Sequence, residues 1–140
     1  MKFKVERIDT WVASLEDKPG ALAAKLEALA KGRVNLEFVI ARRAPDRPGK
    51  GVVFVTPVKG AGAIRAAKEK GFRKTKELCT IRVEGPDKAG QGAAVVQALA
   101  DGGLNLRGLS AAALSKKFVA FIALDKQADA TRAVSLLRKL

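Results

Sequence analysis

Apolar and polar positions along the chain fall into two alternating periods, and the order of those periods occurs twice. Thr10-Trp11-Val12-Ala13-Ser14-Leu15 is β-rich, and Thr80-Ile81-Arg82-Val83 alternates strictly. Each is followed by a helical stripe. Leu22, Leu26 and Leu29 recur at i, i+4 and i+7 in the first half, and Val95, Val96 and Leu99 mark the second. Pro19 suits a first helical turn, while Gly32 and Gly102-Gly103 end the two helices. Val34, Leu36, Phe38 and Ile40 then alternate as a strand, Pro45 to Gly49 turns, and Gly51 to Val55 runs back. The second half repeats this with Leu104 to Leu114, a tighter turn near Ser115-Lys116, and Phe118 to Leu124. The returning strands are apolar on both faces, which predicts a central place in a sheet. Helices follow at Ala61 to Lys70 and Ala128 to Lys139, the latter with Ala130, Ala133, Val134 and Leu137 on one face.

The recurrence is also literal. Residues 17–36 read DKPGALAAKLEALAKGRVNL and residues 87–106 read DKAGQGAAVVQALADGGLNL, identical at 11 of 20 positions at an offset of seventy. An internal duplication of a β-α-β-β-α unit is the consequence. A split βαβ unit needs one more strand after its second helix. Arg73 to Leu78 supplies it in the first half, but the chain stops at Leu140 in the second. Lys2 to Ile8 holds the place of Arg73 to Leu78 in the repeat frame, with Ile8 matching Leu78 and Thr10 matching Thr80. The N-terminal strand is therefore expected to complete the second unit; a strand from a partner chain, or a three-stranded second unit, is the alternative. The expected fold is α+β: two ferredoxin-like βαββαβ units in tandem, with antiparallel sheets and helices on one face. The expected division is 1–71 and 72–140, with 72–78 closing the first unit and 2–8 the second.

Composition narrows the function. With 48% hydrophobic residues in 140, a packed core is within reach. There is no His, and Cys79 is the only cysteine. That excludes an internal disulfide, a Cys/His metal site and any His-based catalytic pair. Cys79 falls in a predicted strand, so it reads as core. No P-loop or dinucleotide fingerprint is present. The chain reads as a non-enzyme without cofactor or metal. With neither a signal-like stretch nor a run long enough to span a bilayer, it is expected to be cytoplasmic and to have no membrane partner.

The net charge of +13 is spread evenly, 15 basic and 8 acidic groups in residues 1–70 against 12 and 6 in residues 71–140. Such a surface attracts phosphates, nucleic acid or acidic partners, and also serves plain solubility. An RNA- or DNA-binding module of the same strand order is a rival reading. Lys50-Gly51-Val52-Val53-Phe54-Val55 matches part of an RNA-recognition strand, but Val52 stands where a second stacking ring belongs. The basic hairpin Arg42, Arg43, Arg47 and Lys50 would be its electrostatic footprint.

The phrase built on Asp17, Pro19, Gly20 and Asn35 resembles the ACT domain, a small amino-acid-binding regulatory fold; the second copy has Asp87, Gly90 and Asn105, with Ala89 in place of proline. The resemblance covers nearly the whole chain as two units. It implies a sensor with an amino-acid ligand where the first loop and helix of a unit meet another unit, and a homodimer built through the sheets. A regulatory subunit that docks on an acidic surface of a metabolic enzyme, through the apolar sheet faces and the basic hairpin, is an alternative reading. The residues suit such a ligand. A glycine turn allows close backbone approach, and unpaired helix N-terminal amides hold a carboxylate. The amide candidates are Gly20, Ala21 and Leu22, and in the second copy Gly90, Gln91 and Gly92. Asn35 and Asn105 would accept from the ammonium. The structural alternatives are that Asp17 and Asp87 cap their helices and that Asn35 and Asn105 serve the turns after them.

Overall fold

A computed structural model describes residues 3–140. In chain order the elements are β1 (Lys4–Ile8), β2 (Trp11–Glu16), α1 (Ala21–Lys31), β3 (Phe38–Arg43), β4 (Lys50–Thr56), α2 (Ala61–Glu69), β5 (Arg73–Lys74), β6 (Cys79–Pro86), α3 (Gln91–Asp101), β7 (Gly108–Leu114), β8 (Lys117–Leu124) and α4 (Gln127–Arg138). They form two compact units, Asp9–Thr75 and the segment through Ile8 joined with Lys76–Leu140. Both are ferredoxin-like.

The unit Asp9–Thr75 has the strand order β3-β4-β2-β5, antiparallel throughout. Alternation on β2 sends Trp11, Ala13 and Leu15 inward, where they meet Leu29 of α1, Val53 and Val55 of β4, and Ala63 and Ala67 of α2. Gly32 sits where the two helices approach. A Cβ there would lie 2.4 Å from the Cβ of Ala66, so a glycine is required by contact rather than by backbone angle. The left-handed residue that ends α1 is its neighbour Arg33, with φ 60°, and Val34 N–H bonds back to the Leu29 carbonyl.

The other unit has the order β1-β6-β8-β7. Its β1 occupies the place that β5 holds in the first sheet. Val5 faces Val83 across an antiparallel ladder running from Lys4↔Glu84 to Ile8↔Thr80. Phe3 and Val5 are 1% and 3% exposed, and they close a core of Ile81, Val83, Leu99, Ile122, Leu124 and Leu137. Two side-chain bonds fasten the strand to α4: Arg138 Nη2 donates to the Val5 carbonyl at 3.0 Å, and Arg7 Nη1 donates to Thr131 Oγ1 at 3.1 Å. Cys79 is buried in this core.

Two alternating runs are not strands. The ladders start at Phe38 and Gly108, although Val34-Leu36 and Leu104-Leu106 alternate upstream of them. Those leucines and the valine lie half-buried against their cores. One-sided packing of an extended connector produces the same alternation as a strand without any ladder. The segment 73–78 is also shorter as a strand than its sequence suggests. Only Arg73 and Lys74 pair with β2, Thr75 N–H adds a bond to the Thr10 carbonyl, and β6 begins at Cys79.

The placement of Phe3 and Val5 has a measurable consequence. The fragment 9–75 should fold by itself, and the fragment 76–140 should fold only when residues 1–8 are supplied. Phe3→Ala should lower stability by about 3–5 kcal/mol in chemical denaturation, as loss of a buried aromatic ring does. A cooperative unfolding transition from 76–140 alone would contradict this.

Candidate ligand site at the strand–helix loops

Each candidate loop runs from the end of a strand into a helix. In both copies the helix opens on a left-handed glycine, Gly20 with φ 87° and Gly90 with φ 85°. A Cβ at either position would meet nothing within 4 Å, so the glycines are set by backbone angle. Neither helix has a side-chain cap. Asp17 therefore does not cap α1, and Asp87 does not cap α3. The cap position is taken by glycine three residues later.

The first helical amide of each copy is already engaged. Ala21 N–H donates to the Lys18 carbonyl at 3.3 Å, and Gln91 N–H to the Lys88 carbonyl at 3.2 Å. The donors of the next two helical positions, Leu22 and Ala23 or Gly92 and Ala93, belong to the turn that has no intrahelical partner. They carry the partial positive charge of a helix start, and the loop residues before them, Asp17, Lys18 and Pro19 or Asp87, Lys88 and Ala89, are exposed. The Leu22 side chain itself packs on the core.

Each loop is tied to the hairpin of its own sheet. Asp17 N–H donates to the Gly49 carbonyl at 3.0 Å and Asp87 N–H to the Lys116 carbonyl at 2.8 Å. Basic side chains are thereby brought beside the helix starts. Arg43 Nε lies 2.8 Å from Asp17 Oδ2, and Lys50 pairs with Glu16. The Lys50 contact holds the Glu16 carboxyl below its ordinary value. In the second copy Lys117 Nζ is 3.0 Å from Glu84 Oε1 and Arg82 Nη1 is 2.7 Å from Glu84 Oε2. The bond from Lys117, seconded by that from Arg82, lowers the Glu84 carboxyl to about 2.

Gln91 plays a part that its sequence position did not announce. Its side chain is 3% exposed, and Nε2 donates to the Pro86 carbonyl at 2.7 Å. It pins the second loop from within, where the first copy has Ala21. Asn35 and Asn105 are exposed and lie past the far ends of α1 and α3. Eleven helical residues separate Gly20 from Gly32, roughly 16 Å at the helical rise. Within one unit, then, the structure brings together Asp17, Pro19, Gly20 and the Leu22 amide, or Asp87, Ala89, Gly90 and the Gly92 amide, and it leaves each asparagine at the opposite end of its sheet. The left-handed turn residue there is Arg33 or Gly103, two positions before the asparagine.

The stacking surface an RNA reader needs is thin. Phe54 is half-buried, opposite Val12 on one side and Ile40 on the other, with Val52 on the same face of β4. A second ring beside it is missing from that set. No helix among the described residues is long and apolar enough to cross a membrane.

No protein-family model matches the chain, and no curated protein matches it. Solved structures do. Protein BT0572 from Bacteroides thetaiotaomicron superposes with a TM-score of 0.79 at 18% identity, over 96% of this chain and 89% of that one. The ligand-free regulatory subunit of aspartate kinase from Thermus thermophilus gives 0.66 at 16%, over 99% and 96%. A chain from a structure of aspartokinase alpha and beta subunits gives 0.65 at 16%, with the same coverage. The two units thus have the ACT-type fold of aspartate kinase regulatory subunits, as the phrases at 17–35 and 87–105 imply.

The depressed Glu84 carboxyl sets a pH dependence. Its contribution to stability is fully present above its ordinary value of 4.5 and is lost as the pH falls toward about 2. Between pH 5 and about pH 2.5, the melting temperature of the wild type should fall further than that of Glu84→Gln, which has no such group to protonate. Parallel curves would show that the Lys117 and Arg82 contacts carry no such weight.

Proposed function

We propose that the chain is a non-catalytic regulatory protein whose strand–helix loops receive a small ligand carrying a carboxylate, of the amino-acid class, and which acts by docking on a metabolic enzyme. The observation that carries this reading is the paired helix start. In both copies an uncapped helix opens on a left-handed glycine, and a backbone bond holds it beside a basic hairpin. Uncapped helix-start amides favour an anion, and the exposed loop leaves room for one. The likeness in fold to regulatory subunits of aspartate kinase supports a regulatory role.

A melt of the full chain against the twenty amino acids, with nucleotides and a short RNA as controls, tests it. A ligand at about 100 times its dissociation constant adds about 2.7 kcal/mol to the folded state, a shift a melt resolves. One amino acid, or a small chemical group of them, should raise the melting temperature. Gly90→Val or Gly20→Val should abolish the shift relative to the variant's own unliganded melt. Asn105→Ala should keep it if each loop works within its own unit. A salt-sensitive shift from RNA alone would replace this reading with the nucleic-acid one.

A further inference from the structure

The duplication supplies an internal comparison of charge, and the two helical layers differ in it. Residues 21–33 and 61–70, which form α1, α2 and their ends, carry six cations against two carboxylates, Glu27 and Glu69. The matching segments of the other unit, 91–103 and 127–139, carry three cations and two carboxylates. One of those three, Arg138, is bonded to the Val5 carbonyl. At the offset of seventy, Val95, Asp101 and Gly103 stand where the first copy has Lys25, Lys31 and Arg33.

Helix packing gathers the six cations of the first unit. Lys25 Nζ donates to the Lys70 carbonyl, and a Cβ on Gly32 would lie 2.4 Å from that of Ala66. The first contact puts Lys25 beside the end of α2 that carries Lys68 and Lys70. The second puts Lys31 and Arg33, which flank Gly32, beside Arg65. Lys31, Arg33, Arg65, Lys68 and Lys70 are exposed, and among the described residues none of their side chains is in an ion pair. Every exposed uncharged residue of the two segments is alanine or glycine.

That inventory decides what fits. A protein interface is built around aromatic or large apolar anchors and is depleted in lysine. An anionic membrane needs an apolar face to bury. Single strands of nucleic acid are held by stacking on rings. Duplex RNA is recognised partly through its 2′-hydroxyls, which calls for polar uncharged side chains. The α1–α2 surface exposes none of these groups. It offers free cations on a ground of small side chains, which lets a rod of phosphates come close. That is the sequence-independent way of binding B-form DNA. We propose that the α1–α2 face binds double-stranded DNA through its phosphates, without regard to base sequence. This goes beyond the ligand reading and does not depend on whether the loops are occupied. The face also lies across the sheet from Phe54, since Val53 and Val55 are the residues of β4 that point toward the helices.

The test titrates the full chain into a labelled duplex of about 20 base pairs and follows fluorescence anisotropy between about 50 and 200 mM salt. Each neutralised phosphate contributes about −0.9 to the slope of log affinity on log salt, so about four to six contacts predict a slope between about −3.5 and −5.5. R65A/K68A should flatten the slope by about 2 and weaken binding about tenfold or more at the low-salt end. K31A/R33G, at the end of the other helix, should do the same. R42A/R47A removes two arginines that are equally exposed and unpaired, from β3 and the turn after it. It should move the slope by less than about 0.5. All these side chains are exposed, so each variant should melt like the wild type. Equal losses from R42A/R47A would overturn the proposal, because the attraction would then be one of net charge alone. So would an RNA duplex or a single strand of the same length binding as tightly as the DNA, or no binding at the low-salt end. Displacement of the DNA by polyglutamate at equal charge would overturn it as well, since the occupant would then be an acidic protein.

Discussion

The ladder between β1 and β6 is the contact on which one half of this molecule rests. A sheet of β6, β8 and β7 alone would leave Ile81 and Val83 at an open edge, above helices α3 and α4 that pack on only one face. Phe3 and Val5 close that edge, and Arg7 and Arg138 lock the strand to α4. The unit 9–75 is consequently an insertion between a strand and the rest of its sheet. The first unit needs no such loan, because the two-residue β5 comes from the chain that follows its own helix.

Duplication preserved the backbone and let the side chains drift. Both copies keep the left-handed glycine before the helix and a left-handed residue after it, but the latter is Gly103 in one and Arg33 in the other. Both tie the loop to the hairpin through the amide of an aspartate. The hairpin lysine persists as Lys50 and Lys117, yet its partner moves from Glu16 to Glu84. Position 21 of the first copy is an alanine, and position 91 of the second is a buried glutamine that anchors the loop. The two loops thus have the same shape and different electrostatics.

Most of the fold was legible in the sequence, because alternation, helical stripes and a literal repeat reported the same element order independently. What misled was local. Val34-Leu36 and Leu104-Leu106 alternate like strands, since a connector packed on one side obeys the same period. The alternative of Asp17 as a cap fails because Gly20 takes the cap position, and Asp17 pairs with Arg43 instead. That the asparagines sit a helix length from the glycines follows from the helical rise and could have been read from residue numbers. The bond from Asp17 to Gly49, and that from Asp87 to Lys116, could not. They join residues about thirty apart in sequence, and no local pattern encodes them.

The proposed ligand site lies at the strand–helix loops. The most direct measurement is a two-dimensional amide spectrum of the labelled chain, titrated with pools of amino acids. The account predicts shifts concentrated at Gly20, Leu22 and Ala23 or at Gly90, Gly92 and Ala93. Shifts confined to the basic hairpin 42–50, or a spectrum unchanged by every pool, would contradict it.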